Sequence, residues 1–154
     1  MVRVKSPIRI GAHVPTSGGM ATRSIEYALT IKAEAIQVFA SSPRTWATST
    51  PNPAMDEAFK IKTTEHDIKP FVHASFLINL GSPTQTTYTN SLSATAYSLK
   101  RGREIGAHGV VVHTGSAVDE SHVDQAWKQI HEGVMPILNN LKDDDPWLLL
   151  EPTA

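Results

Sequence analysis

The sequence predicts an α/β fold built on a parallel sheet, and three observations carry that expectation. Five short apolar runs rich in β-branched residues recur along the chain. Segments with helical periodicity separate them, and four of the runs end in His or Glu at a comparable place. Continuous apolar runs suit strands buried on both faces, and regular strand–helix alternation implies parallel pairing with right-handed crossovers. Two architectures satisfy that order: a doubly wound open sheet, or part of a (β/α)8 barrel.

The first run, IRIGAHV at 8–14, carries His13 near its end, and a helix is expected over about 19–32. AIQVFA at 35–40 is the second strand. NPAMDEAF opens the second helix, with Asn52 as N-cap and Pro53 at the first helical position. PFVHA at 70–74 ends close to His73. The segment after it, SFLINLGSP, spends Phe76, Leu77, Ile78 and Leu80 on a loop, where a strand end ordinarily turns polar at once. A third helix is expected over 85–105, with Leu92, Ala96 and Leu99 on its inner face. GVVVHT at 109–114 carries His113. Val123, Trp127, Ile130, Val134, Leu138 and Leu141 then form an apolar stripe at helical spacing, in which Pro136 predicts a kink or break near Met135. PWLLLE at 146–151 closes the order βαβαβαβαβ on Glu151.

Composition narrows the function. The 154 residues suit one domain, 1–154, with 40% hydrophobic and 19% charged residues. There is no cysteine, so any metal must be held by His, Asp or Glu. No apolar run reaches the ~18 residues of a membrane span, which makes the cytoplasm the expected compartment and excludes a membrane partner. The net charge of −1 hides an asymmetry: residues 1–103 carry 12 Lys+Arg against 6 Asp+Glu, and residues 104–154 carry 2 against 9. A basic half is compatible with an anionic partner and equally with simple solvation.

Neither phosphate-binding glycine fingerprint of open α/β sheets is present, and there is no G-x-S-x-G nucleophile elbow. HEGVM at 131–135 has Met135 where a zinc-binding H-E-x-x-H helix needs its second histidine, so His131 and Glu132 are expected in solvent. His66, His108 and His122 flank helices or a strand start, where surface roles are expected. His73, His113 and Glu151 are different. They are separated by 40 and 38 residues, about one strand–helix unit each, and strand ends on one side of such folds carry active sites. Two imidazoles and a carboxylate suit zinc. A strand-end imidazole bonded to a backbone carbonyl is the competing reading of each histidine alone.

Five motifs resemble endonuclease IV, the zinc-dependent apurinic/apyrimidinic endonuclease family also called deoxyribonuclease IV. They are GAHVPTSGG (11–19), FASSPRTW (39–46), HASFLINLGSP (73–83), VVVHTGS (110–116) and LLLEPTA (148–154), in register and in family order. The resemblance implies a (β/α)8 TIM barrel of the xylose-isomerase-like type, of which this chain holds an N-terminal portion with about five parallel strands and four helices. It implies hydrolysis of the phosphodiester 5′ to abasic sites in double-stranded DNA, leaving a 3′-hydroxyl, with three zinc ions in a complete, monomeric enzyme. His73 and His113 resemble two ligands of one zinc, and Glu151 a catalytic carboxylate bridging it to a second. His13 resembles a supporting residue behind the ligands. Arg44 and Phe76 match DNA-contacting positions, Phe76 standing where Tyr is usual, and neither is expected to touch metal. Thr114 and Pro152 also depart from the family pattern. The ligands of later strands have no counterpart, so at most one zinc site is largely formed, and residues 1–154 alone are expected to be inactive and prone to associate. The alternatives are a sugar isomerase or epimerase on the same barrel, and a non-catalytic metal- or DNA-binding remnant.

Overall fold

The computed structural model describes residues 8–152, so Thr153 and Ala154 of the last motif lie outside the described residues. The strands are β1 (Gly11–His13), β2 (Ala35–Phe39), β3 (Lys69–His73), β4 (Gly109–His113) and β5 (Trp147–Glu151). Between them lie a π-helical turn (Gly19–Ser24) running into α1 (Ile25–Thr30), then α2 (Pro53–Glu65), α3 (Gln85–Glu104) and α4 (Val123–Asn139). The strands form one sheet in the order β1-β2-β3-β4-β5, every pair parallel.

That order decides between the two architectures. A doubly wound sheet reverses its strand order at a switch point and covers both faces with helices. Here the order never reverses, so right-handed crossovers place every helix on the same face. The result is a partial (β/α)8 barrel. Ile36, Val38, Val72, Val110 and Val112 turn towards the helices and are buried. The alternate residues, among them Gln37, Phe39, Phe71, His73, Val111, His113 and Glu151, line the barrel interior.

Three local expectations change. The first helix is not one α-helix over 19–32. The chain leaves β1 through Gly18 and Gly19, both at left-handed φ (+92° and +98°), and the wide turn they allow is closed by Thr22 Oγ1 donating to the Gly18 carbonyl at 2.6 Å. Pro136 does not break α4, which continues to Asn139. The carbonyl it deprives of a partner is that of Glu132, on an exposed residue where water can replace the lost bond. The apolar stripe of α4 is only partly buried: Val134 reaches the core, but Trp127 is 70% exposed, and near the start of the helix it is Ala126 that is buried.

The buried face of α3 is the most instructive departure. Leu99 packs inward as expected, whereas Ala96 is exposed and Ser91, Thr95 and Ser98 are buried. Each hydroxyl donates to the carbonyl four residues back, at 2.7, 2.8 and 2.8 Å, so none enters the core unsatisfied. Small side chains bring the helix close to the sheet. Gly102 completes that face, since a Cβ there would lie 2.9 Å from Val110.

Asn52 caps α2 as expected, its Oδ1 accepting from the Met55 amide at 3.3 Å. A buried ion pair then joins α2 to α3. Arg101 Nη1 and Nη2 each donate to a separate Asp56 oxygen at 2.8 Å, and Nη1 also donates to Glu104. The bonds from Asp56 outweigh desolvation and hold the guanidinium pKa above its ordinary value. Removing one partner of such a pair strands a buried charge, at a typical cost of 3–5 kcal/mol. Glu104 compensates in part, so Asp56→Ala should cost about 3 kcal/mol, measured as a fall in the urea midpoint.

Candidate functional site

β3, β4 and β5 end side by side, and His73, His113 and Glu151 are their last interior-facing residues. His73 Nε2 lies 3.5 Å from Glu151 Oε2, and His113 Nε2 lies 3.4 Å from the same oxygen. A ligand atom from each residue lies within 4.8 Å of the other two. The two imidazoles meet edge to face with centroids 5.0 Å apart. Side-chain exposure rises from 10% at His73 through 25% at His113 to 51% at Glu151, so the group is rooted in the fold on one side and open on the other.

Hydrogen bonding shows what the group needs. His73 Nδ1 lies 2.8 Å from the Ala74 carbonyl oxygen, which can only accept, so Nδ1 carries the proton. In the neutral ring Nε2 is then a bare lone pair, and it faces a carboxylate oxygen. Two acceptors are stable in that relation with a proton or a cation between them. An ion held tetrahedrally at about 2.0–2.2 Å by N and O ligands separates those ligands by about 3.3–3.6 Å. The two spacings to Glu151 match, and the residues present fit a divalent metal. The carbonyl bond expected of an ordinary strand-end histidine is here the contact that aims the ring.

His13 stands apart from this group. Its Nδ1 is 3.3 Å from Gln37 Oε1, and its ring packs on Phe39 at 4.4 Å. Phe39 in turn contacts His73 at 5.6 Å, so among the described residues His13 reaches the candidate ligands through that ring.

The apolar loop after His73 divides its residues. Ile78 and Leu80 turn into the core, while Phe76 (48% exposed) and Leu77 stay outside. Asn79 ties the loop to its neighbour: its Oδ1 accepts from the amides of Gly81 and Ser116, both at 3.0 Å. The loops carrying His73 and His113 are thereby held together. Phe76 packs against both imidazoles, a contact the sequence does not indicate. Its ring lies 5.3 Å from that of His73 and stacks on His113 at 6.1 Å. Arg44 is exposed on the loop after β2, next to Pro43, whose carbonyl is held by the Phe76 amide at 3.0 Å. Phe39 and Asn79 were not singled out from the sequence. Phe39 could have been found by its interior-facing parity on β2, whereas the role of Asn79 requires the two loops to be adjacent.

Parallel strands in unbroken order with a His/His/Glu group at their C-terminal ends define an α/β barrel with a candidate metal site. Residues 25–154 match the family described as xylose isomerase-like TIM barrel, and the chain belongs to it. Within that family its relatives are endonuclease IV proteins, whose N-terminal portion it matches. It is 49% identical over 146 residues to a probable endonuclease 4 of Streptomyces coelicolor, covering 94% of this chain and 50% of that protein. The crystal structure of endonuclease IV from Thermus thermophilus superposes with a TM-score of 0.79 at 30% identity, over 95% of this chain and 52% of that one. The chain therefore spans about half the length of the curated relatives it matches. A xylose isomerase domain protein from Planctomyces limnophilus, at 16% identity and a TM-score of 0.68 over 95% and 54% of the two chains, shares the fold.

His113→Ala should abolish most zinc binding in a calorimetric titration, and His13→Ala should leave it nearly unchanged. Phe76→Ala should fall between them, weakening binding by less than about tenfold, because it loosens both ligand rings without removing a ligand.

Proposed function

We propose that this chain carries the N-terminal part of a zinc-dependent active centre for cytoplasmic DNA repair, acting on the phosphodiester 5′ to an abasic site and leaving a 3′-hydroxyl. The observation that supports it is the convergence of His73, His113 and Glu151 directly beneath Phe76 and beside the loop of Arg44. His73 and His113 would hold a zinc ion through Nε2, with Glu151 as the carboxylate ligand shared with a second ion of a trinuclear centre. When bound, zinc supplies Lewis acidity, acidifying water and offsetting phosphate charge. His13 supports the site from behind Phe39.

The chain's own residues provide the hold on DNA. Arg44 is exposed and makes no ion pair among the described residues, which leaves its guanidinium free to meet a phosphate. Phe76 offers a half-exposed ring beside the ligands. Apolar side chains inserted between base steps kink DNA, and an abasic nucleotide is easily extruded because it has no base to unstack. Phe76 keeps the stacking surface of the tyrosine usual at this position and lacks its hydroxyl.

With two imidazoles and one carboxylate, residues 1–154 form at most one zinc site, too little charge for the full reaction. The polypeptide 1–154 with zinc should therefore leave an abasic duplex uncut. Fused to the remaining half of the Streptomyces coelicolor relative, the same residues should give zinc-dependent incision that His113→Ala removes. A fusion that isomerised ketoses and spared the duplex would overturn the reading.

A further inference from the structure

Resting on the reading of Arg44 and Phe76 as DNA contacts, we infer that Ser75 is a positioning residue that locks the two loops into one recognition unit. Its hydroxyl donates to the Pro43 carbonyl at 3.0 Å, and the Phe76 amide donates to the same oxygen at 3.0 Å. One carbonyl, adjacent to Arg44, is thus gripped twice from the segment that ends in Phe76. The Ser75 hydroxyl also accepts from the Leu77 amide at 3.2 Å, which shapes the exposed tip from the same atom. Ser75 itself is buried.

A second observation shows why the loop needs the lock. Behind it lies a cavity of about 90 Å³, lined by Thr45, Trp46, Ser75, Asn90 and Tyr97 among others. The loop is therefore not packed tightly onto α3 and has space in which to shift. On the far side it is held by Tyr97, whose hydroxyl donates to the Ser49 carbonyl at 2.9 Å. Near Arg44 the restraint is the Pro43 carbonyl with its two donors. A guanidinium meant for one phosphate, beside a ring meant for one gap in the duplex, requires a fixed separation. Ser75 supplies it from just past the end of β3, two residues beyond His73.

The lock can be read without DNA. In Ser75→Ala, exchange of the Phe76 amide should rise roughly three- to tenfold, the effect of losing one hydrogen bond, and amides of residues 44–48 should follow. Amides of α4 should keep their protection. Ser75→Thr retains the hydroxyl, has the cavity beside it for the extra methyl, and should restore the parental pattern. Binding of an abasic duplex, followed by fluorescence anisotropy, gives the functional arm. Ser75→Ala and Arg44→Ala should each weaken it, and the double variant should be no worse than Arg44→Ala alone. Thr30→Ala, an exposed hydroxyl on α1, should change neither measurement. Unchanged exchange in Ser75→Ala, or additive losses in the double variant, would overturn the lock. A parent chain that showed no preference for the abasic duplex would sink the DNA reading itself, leaving the exchange data to judge the lock alone.

Discussion

The site depends on one constraint: alternate residues of a strand face opposite ways, in a sheet whose strands follow one another without reversal. Because all crossovers have the same hand, one face takes the helices and the other takes none. Val72 and Val112 on the first face anchor β3 and β4 in the core, and their neighbours His73 and His113 are thereby committed to the second. A slip of one residue in either strand would exchange a valine for an imidazole in the core. The apolar runs thus do more than stabilise the sheet. They set the direction in which each candidate ligand points, and the register His113–Glu151 brings the third alongside.

The helix layer meets that constraint with unusual material. α3 must lie close to β3 and β4, and it does so with Ser91, Thr95, Ser98 and Gly102 where bulky apolar residues would be expected. Hydroxyls that return to their own helix carbonyls behave as small, satisfied packing groups. The buried Asp56–Arg101 pair, bonded at two points, adds directional contact between α2 and α3 that small side chains alone do not give. Such a pair is a weak source of stability against an apolar replacement, and its clearer contribution is to orient one helix on the other.

These particulars explain what was legible in the sequence. Five strands and their order could be read because each apolar run is set off from the next by a helical segment; four strands lie within one residue of the expected bounds, and β1 is shorter, Gly11–His13 in place of 8–14. His73, His113 and Glu151 could be read because one strand–helix unit separates each from the next. Resemblance, not periodicity, singled out Arg44 and Phe76. On the inner face of α3, Leu92 and Leu99 were read correctly, Ala96 was not, and Ser91, Thr95 and Ser98 were missed because serine and threonine count as polar until their hydroxyls are seen to be satisfied within the helix. Of the kink or break expected at Pro136, the break does not occur, because the exposure of Glu132, which makes the lost bond tolerable, is a tertiary fact. The stacking of Phe76 on the ligands was invisible for a similar reason, since it depends on a loop folding back over its own strand end.

The loop SFLINLGSP gathers these arguments into nine residues. Its apolar content looks excessive for a segment at the mouth of a barrel, and half of it is not there for the mouth at all. Ile78 and Leu80 return to the core and fix the loop's base. Asn79, between them, binds the adjacent loop and so sets the distance between the strand ends that bear His73 and His113. Only Phe76 and Leu77 are turned outward, and Phe76 leans on both imidazoles. Any movement of that ring is therefore felt by the ligands, and any ion that orders the ligands also orders the ring. On the proposed function, recognition of a distorted duplex and retention of metal would be coupled, because Phe76 touches both imidazoles and keeps a half-exposed ring beside them.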